Sequence, residues 1–245
     1  QVKFLMWNRN YLPALRHARQ AIMAGQIGDP YAIHVDFYFA KDSGPPKGSR
    51  GADEPVTSWL DHQLAAHVTG ADGGVGREAM GELQIEGIYP LGYIQVLLES
   101  RVERVFARTA SHFHQVNVDH DVEDLATVTL EMEGNILGTL CIGRIGAASH
   151  SDIGEIKIHV LGSKGALVIS EARPEVAVYY RGQPAGEFRH RRVGIDNDYL
   201  LMQNFAEAID QDGTTIMDAR VGREISGTVQ AAIESGRIGK PVDVG

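Results

Sequence analysis

Tyr89-Pro90 sits inside the apolar run GELQIEGIYPLGYIQVLLES, residues 81–100. A phenol hydroxyl can give or take a proton in alcohol or ketone chemistry if its neighbours bring its pKa down from about 10. In the same run Ile85, Ile88, Leu91, Ile94 and Leu98 recur at three- and four-residue steps, which predicts a helix over 82–99 with one apolar face. Gly87 and Pro90 oppose that pattern, at roughly 1 and 3 kcal/mol against Ala. Pro90 has no N–H and clashes with the carbonyl of Glu86, so a kink near that point is expected. Such a local violation marks either a tolerated packing fault or a site.

Other chemistry is thinner. HFHQVNVDHD offers His112, His114, Asp119, His120 and Asp121 within ten residues. On a strand His112 and His114 would face one side, as paired metal ligands do. A polar sheet face followed by a turn accounts for the same residues, and no HExxH pair supports a metal. Cys141, the only cysteine, excludes an internal disulfide; its setting GTLCIG reads as burial of a small hydrophobe. No GxSxG elbow is present. The glycines of GADGGVG follow a helix-like run rather than a strand, and GSKG lies between two strands, so neither fits a dinucleotide-binding turn.

The chain of 245 residues carries a net charge of −9, which argues against a nucleic-acid or anionic-membrane partner. Arg189, His190, Arg191 and Arg192 form the one dense basic cluster and read as a solvated edge. No apolar run reaches membrane-spanning length, and a reducing, cytoplasmic setting is compatible with the lone thiol.

The elements that must position Tyr89 follow from periodicity. VKFLMW reads as a buried strand. The next helix starts near Asn10, has Leu12, Leu15, Ile22 and Met23 on one face, and ends at Gly25. YAIHVDFYFA alternates as a half-buried strand, Ile33, Val35 and Phe37 against His34 and Asp36. Residues 41–80 form a long loop with a short helix in VTSWLDHQLAAHV. Beyond the Tyr89 helix come strands: RVERVFARTASHF, LATVTLEM turning at EGN into ILGTLCIG, EIKIHVLG, ALVIS, EVAVYY and AGEFRH. Two helices close the chain, one carrying Met202, Phe205 and Ile209, the other Ile225, Val229, Ala232 and Ile233 with Gly236 as its stop. This segregation predicts an α+β fold, an open, largely antiparallel sheet with helices on one face. Its other face would be shared with a second copy, as a homodimer or homotetramer.

Five segments, in order, resemble the glucose–fructose oxidoreductase / inositol dehydrogenase (Gfo/Idh/MocA) family. They are NRNYLPALRHARQAIMAGQIGDPYAIHVDF, GIYPLGYIQVLL, DVEDLATVTLEMEGNILGTL, IKIHVLGSKGALVIS and the ending from NFAEAIDQDG to GKPVDV. The resemblance implies an oxidoreductase that uses NAD or NADP on a polyol, sugar or similar hydroxylated small molecule. It also implies that most of the cofactor is held by a preceding dinucleotide-binding domain whose Gly-rich turn and E-K-P lysine are not in this sequence. Residues 1–28 would then be a remnant strand and junction helix. Residues 29–245 would be the C-terminal substrate and oligomerisation domain, of the dihydrodipicolinate-reductase-like type.

The family's proton-relay position falls on Tyr89. Its usual carboxylate falls on Ile85; Glu86 is adjacent but about 100° further round a helix. Trp59 resembles a tryptophan in the preceding loop and either lines the substrate pocket or anchors the loop. Lys41, Lys47 and Arg50, in or beside that loop, either contact substrate hydroxyls or are solvated. The alternative to an enzyme is a non-catalytic ligand-binding or assembly module derived from the family, which Ile85 favours.

Overall fold

The computed structural model describes residues 3, 13–39, 60–61, 63–65, 79–144, 155–170, 175–180, 188–191 and 197–245. Alternation of apolar and polar residues builds most of it. In β1 (Pro30–Phe39) Ile33, Val35 and Phe37 are buried while His34 and Asp36 are exposed. The same two-residue period runs through β3 (Leu125–Met132), where Ala126, Val128, Leu130 and Met132 point inward and Thr127, Thr129 and Glu131 outward. Its partner β4 (Ile136–Arg144) follows a turn in which Gly134 and Asn135 both take positive φ, the conformation that a tight hairpin requires.

Nine strands among the described residues make one mixed sheet. Besides β1, β3 and β4 it contains β2 (Val102–Ala110), β5 (Glu155–Gly162), β6 (Gly165–Ser170), β7 (Glu175–Tyr180), β8 (Phe188–Arg191) and the short β9 (Val242–Asp243). The order is β8-β7-β6-β5-β1-β4-β3-β2-β9, and only the β1–β4 pair is parallel. Phe37 of β1 is therefore level with Ile142 of β4, and Phe39 with Arg144. The fold is the expected α+β, an open sheet with helices against one face.

The covering helices are α1 (Pro13–Met23), α2 (Glu82–Glu86), α3 (Ile88–Leu98) and α6 (Ala219–Ile238). Between β2 and β3 lies the single turn α4 (Gln115–Asp119), and α5 (Asn197–Asp210) precedes α6. Ala14, Leu15, Ala18 and Ala21 of α1 join the same apolar cluster as the sheet and α3. Arg19 of α1 pairs with Glu99 and with the carbonyl of Val96, fastening α1 to the end of α3. The α6 helix is capped by Asp218, whose carboxylate accepts from the Val221 N–H at 2.9 Å, and ends at the left-handed Gly239. Buried Ser235 donates to the carbonyl of Lys240 at 2.6 Å and accepts from the Ala107 N–H at 2.9 Å, tying α6 to β2.

The Tyr89 segment differs from a kinked single helix. It is two helices joined at Gly87, and Pro90 lies in the first turn of α3, where a missing N–H costs little. The interruption falls where the kink is expected, beside Glu86, whose carbonyl has no Pro90 N–H to accept from, while Gly87 at the join keeps right-handed helical dihedrals. A Cβ there would lie 2.2 Å from the carbonyl oxygen of Leu83 and 3.4 Å from Val229 of α6, so glycine permits the close approach.

Three helix details depart from the periodicity reading. Gly236 lies within α6, where a Cβ would meet Thr109 at 2.8 Å; it serves close packing, and the stop is Gly239. Met202 and Ile209 of α5 are exposed, and the buried residues are Leu200, Leu201 and Ala208. Met23 is exposed because the alanines of α1 form its inner face. The expected strand at VKFLMW lies, apart from Lys3, outside the described residues, as does most of the 41–80 loop. Residues 60–61 and 63–65 are helical, as expected there. Among the described residues no helix is long and apolar enough to cross a membrane.

Candidate functional site

The C-terminal ends of the parallel strands β1 and β4 and the start of α2 meet at one end of the sheet. Tyr89, in the first turn of α3, is half-buried and packs against the main core rather than within it. Its ring lies nearly parallel to Phe37, with centroids 6.3 Å apart and planes 13° apart. Phe37 is itself fully buried and meets Tyr93 edge-on at 6.1 Å, so the platform beneath Tyr89 is rigid.

Beside it is a buried ionic cluster. Arg144, the last residue of β4, is 4% exposed. Its Nε donates to Glu82 Oε1 at 2.8 Å and its Nη2 to Glu86 Oε1 at 2.9 Å. Glu82 and Glu86 stand four residues apart on α2, so one guanidinium bridges both across a helical turn. Glu82 is 2% exposed, and its Oε2 has no hydrogen-bond partner among the described residues. Burial pushes the Glu82 carboxyl up to about 7, against the pull of Arg144.

A third carboxyl, Glu123, accepts from the Leu83 N–H at 3.2 Å and fills the space a side chain at Gly81 would need. Burial raises its pKa too. The neighbouring Asp124, fully buried, accepts from the N–H groups of His112, Phe113 and His114 at 2.7–3.0 Å, and its carbonyl accepts from Arg144 N. His114 Nε2 donates to the Arg144 carbonyl at 2.8 Å, which assigns the ring proton to that nitrogen. Asp124 and His114 thus spend their polar groups supporting the end of β4.

That disposes of the paired-histidine arrangement. β2 ends at Ala110, so His112 and His114 lie in a turn rather than on a strand; His112 is exposed and His114 buried. Among the described residues no group of three His, Cys, Asp or Glu side chains could hold a metal ion. Cys141 is half-buried on the open face of the sheet, level with Asp36 and Thr127, rather than in the core.

Of the residues singled out in the sequence, the structure brings Tyr89 and Glu86 to the same end of the sheet. Glu86 is directed at Arg144 by its position on α2. Ile85 is half-buried. Trp59, Lys41, Lys47 and Arg50 lie outside the described residues. Glu82, Arg144 and Glu123 had not been singled out. The E-x-x-x-E spacing in an apolar run was the available signal, since two acids one turn apart need a shared cation if buried.

Residues 74–244 match the model of the oxidoreductase family C-terminal alpha/beta domain, the Gfo/Idh/MocA group, and the chain belongs to that family. Its fold matches an oxidoreductase from Agrobacterium radiobacter, solved with NAD+, L-tartaric acid and magnesium, at a TM-score of 0.74 and 17% identity. That alignment covers 99% of this chain and 65% of the other. Levoglucosan dehydrogenase in complex with NADH matches at 0.73 and 17% identity, covering 96% of this chain and 64% of that one. An aldose-aldose oxidoreductase from Caulobacter crescentus, complexed with glycerol, matches at 0.69 and 17% identity, covering 96% and 62%. The chain therefore spans less than two thirds of the length of these proteins. No curated protein sequence matches it.

Proposed function

We propose that this chain is the substrate-binding and oligomerisation part of an NAD(P)-dependent oxidoreductase acting on a polyol, sugar or similar hydroxylated small molecule, with Tyr89 as its proton relay. The observation that carries this reading is the placement of Tyr89. It is a half-buried phenol, at the family's relay position, held flat over Phe37 at the C-terminal ends of β1 and β4. The NAD+, NADH, L-sorbose and levoglucosan complexes of the structural neighbours support the substrate class. The described residues of this chain contain no Gly-rich strand–turn–helix able to hold a dinucleotide. The nicotinamide, which accepts or gives the hydride, is proposed to be held mainly by polypeptide outside this chain, as the family resemblance implies. What this chain supplies is the proton path at the substrate hydroxyl and the rigid bed beneath it.

The full-length protein is expected to reduce NAD+ or NADP+ with at least one member of a panel of polyols and aldoses, followed by nicotinamide absorbance. Retained NAD(H) binding with no turnover on any member would favour the non-catalytic alternative, which Ile85 in the carboxylate position supports. The open sheet face, where Ala32, Leu137 and Leu161 form a row across β1, β4 and β5, is proposed to pair with a second copy of the chain. Sedimentation at micromolar concentration should give a dimer or tetramer; a clean monomer removes this part of the proposal.

A further inference from the structure

Among the described residues, the polar cluster beneath α2 contains more acid than base. Two carboxyls, Glu82 and Glu86, share the buried guanidinium of Arg144, and a third, Glu123, is near enough to Glu82 to disfavour its charge. With Glu82 ionised, two carboxylates would share one guanidinium out of water with a third close by, an arrangement that protonation of Glu82 relieves. The groups facing Glu82 are Arg144 from β4, Glu86 from its own helix and Glu123 from the segment before β3. The α6 helix, packed across α2, presents Val229 at Gly87, and among the described residues it offers Glu82 no ionic partner. Glu86 already has the cation at 2.9 Å and is less deeply buried than Glu82, with 16% of its side chain exposed. Glu123 shares its carboxylate with a backbone N–H. Glu82, with one oxygen on Arg144 and the other without a hydrogen-bond partner among the described residues, is the carboxyl that the geometry leaves to hold the proton.

We infer that Glu82 is a positioning residue that takes up a proton as pH falls through neutrality, leaving Arg144 paired with an ionised Glu86 and keeping excess negative charge away from the Tyr89 hydroxyl. The coupling to Tyr89 rests on the proton-relay reading above; the proton on Glu82 does not. Glu82 and Glu86 stand four residues apart on α2, and Tyr89 follows in the first turn of α3, across the αR residue Gly87. Seven residues at a helical rise put Tyr89 on the order of 10 Å from Glu82. The burial that lifts the Glu82 carboxyl to about 7 places its ionisation where pH changes matter. On ionisation it adds one negative charge to the helix and disfavours the Tyr89 phenolate.

The test is a site-resolved titration of the full-length protein without cofactor or substrate, by carboxyl-carbon NMR of labelled glutamate and ring-carbon NMR of labelled tyrosine. One glutamate is expected to titrate near neutrality, to vanish in Glu82→Gln and to persist in Glu86→Gln. Wild-type protein with every glutamate titrating in the ordinary acidic range overturns the inference, whether or not a variant folds. The Tyr89 phenol, assigned by its loss in Tyr89→Phe, is expected to titrate lower in Glu82→Gln by up to about one pH unit. An unchanged phenol titration removes the coupling and leaves the proton on Glu82. Because no turnover is measured, an inactive enzyme does not affect either result.

Discussion

Replacing Tyr89 by Phe in the full-length protein is expected to lower kcat by about 10²–10⁴-fold, the usual contribution of a positioned acid–base group. The ring that lies over Phe37 is kept and only the hydroxyl is lost, so stability should change by no more than about 1 kcal/mol. KM should move little, because a proton in transfer is bound more strongly in the transition state than in the ground state. The comparison separates two roles for the same side chain. If Tyr89 serves only to pack the edge of the core, Tyr89→Phe will turn over at the wild-type rate and Tyr89→Ala will be the damaging change. Rates for Tyr89→Phe within twofold of wild type would withdraw the relay assignment. The pH profile adds a second readout. Loss of a single hydroxyl should remove the limb belonging to the phenol, while a purely steric change would scale the whole profile down.

How much of this was legible in the chain depends on the length scale of the signal. Strands with strict alternation, such as 125–132 and 136–142, were readable because every second side chain reports the same face. The EGN turn was readable because it demands two left-handed residues. Gly236 misled because glycine has two uses, ending a helix and letting two backbones approach, and only the presence of Thr109 beside it decides between them. Met202 and Ile209 misled because an apolar residue on a helix can be exposed at little cost when alanine and leucine on the adjacent stripe already fill the contact. Pro90 was legible because a proline inside a helical pattern removes one N–H and crowds the carbonyl four residues back, and the helix divides beside Glu86. Tyr89 and Glu86 were found from their places along the helix. Arg144 could not be, since it lies 58 residues from Glu86 in sequence and meets it only because β1 and β4 run parallel. Pairings of that kind are a property of the sheet order, which periodicity does not contain.

Arg144→Met is expected to be the most destabilising single substitution at this end of the molecule. It keeps the length and apolar character of the side chain but leaves Glu82 and Glu86 buried with no guanidinium between them. Removing one partner of a buried ion pair typically costs 3–5 kcal/mol, which at this chain length corresponds to a fall in Tm of roughly 10 °C. The pH dependence has a definite sign. Without Arg144 the Glu82 carboxyl pKa rises further above its unfolded value near 4.5, because the pull that opposed burial is gone. A carboxyl that binds its proton more tightly when folded stabilises the fold at low pH and loses that contribution as pH rises through the folded pKa. The deficit of Arg144→Met should therefore be smallest in mildly acidic buffer and grow through neutrality. Adding Glu82→Gln and Glu86→Gln to Arg144→Met should recover most of the lost stability, since the amides leave no buried charge to compensate. Urea unfolding of the wild type, the single variant and the triple variant, each at two pH values, distinguishes this from simple loss of packing. A cavity or steric fault at position 144 would be insensitive to pH and would not be relieved by neutralising the two glutamates. A single variant within about 1 kcal/mol of wild type at neutral pH would mean that the cluster is not the fastening that holds α2, and with it the Tyr89 turn, to the end of β4.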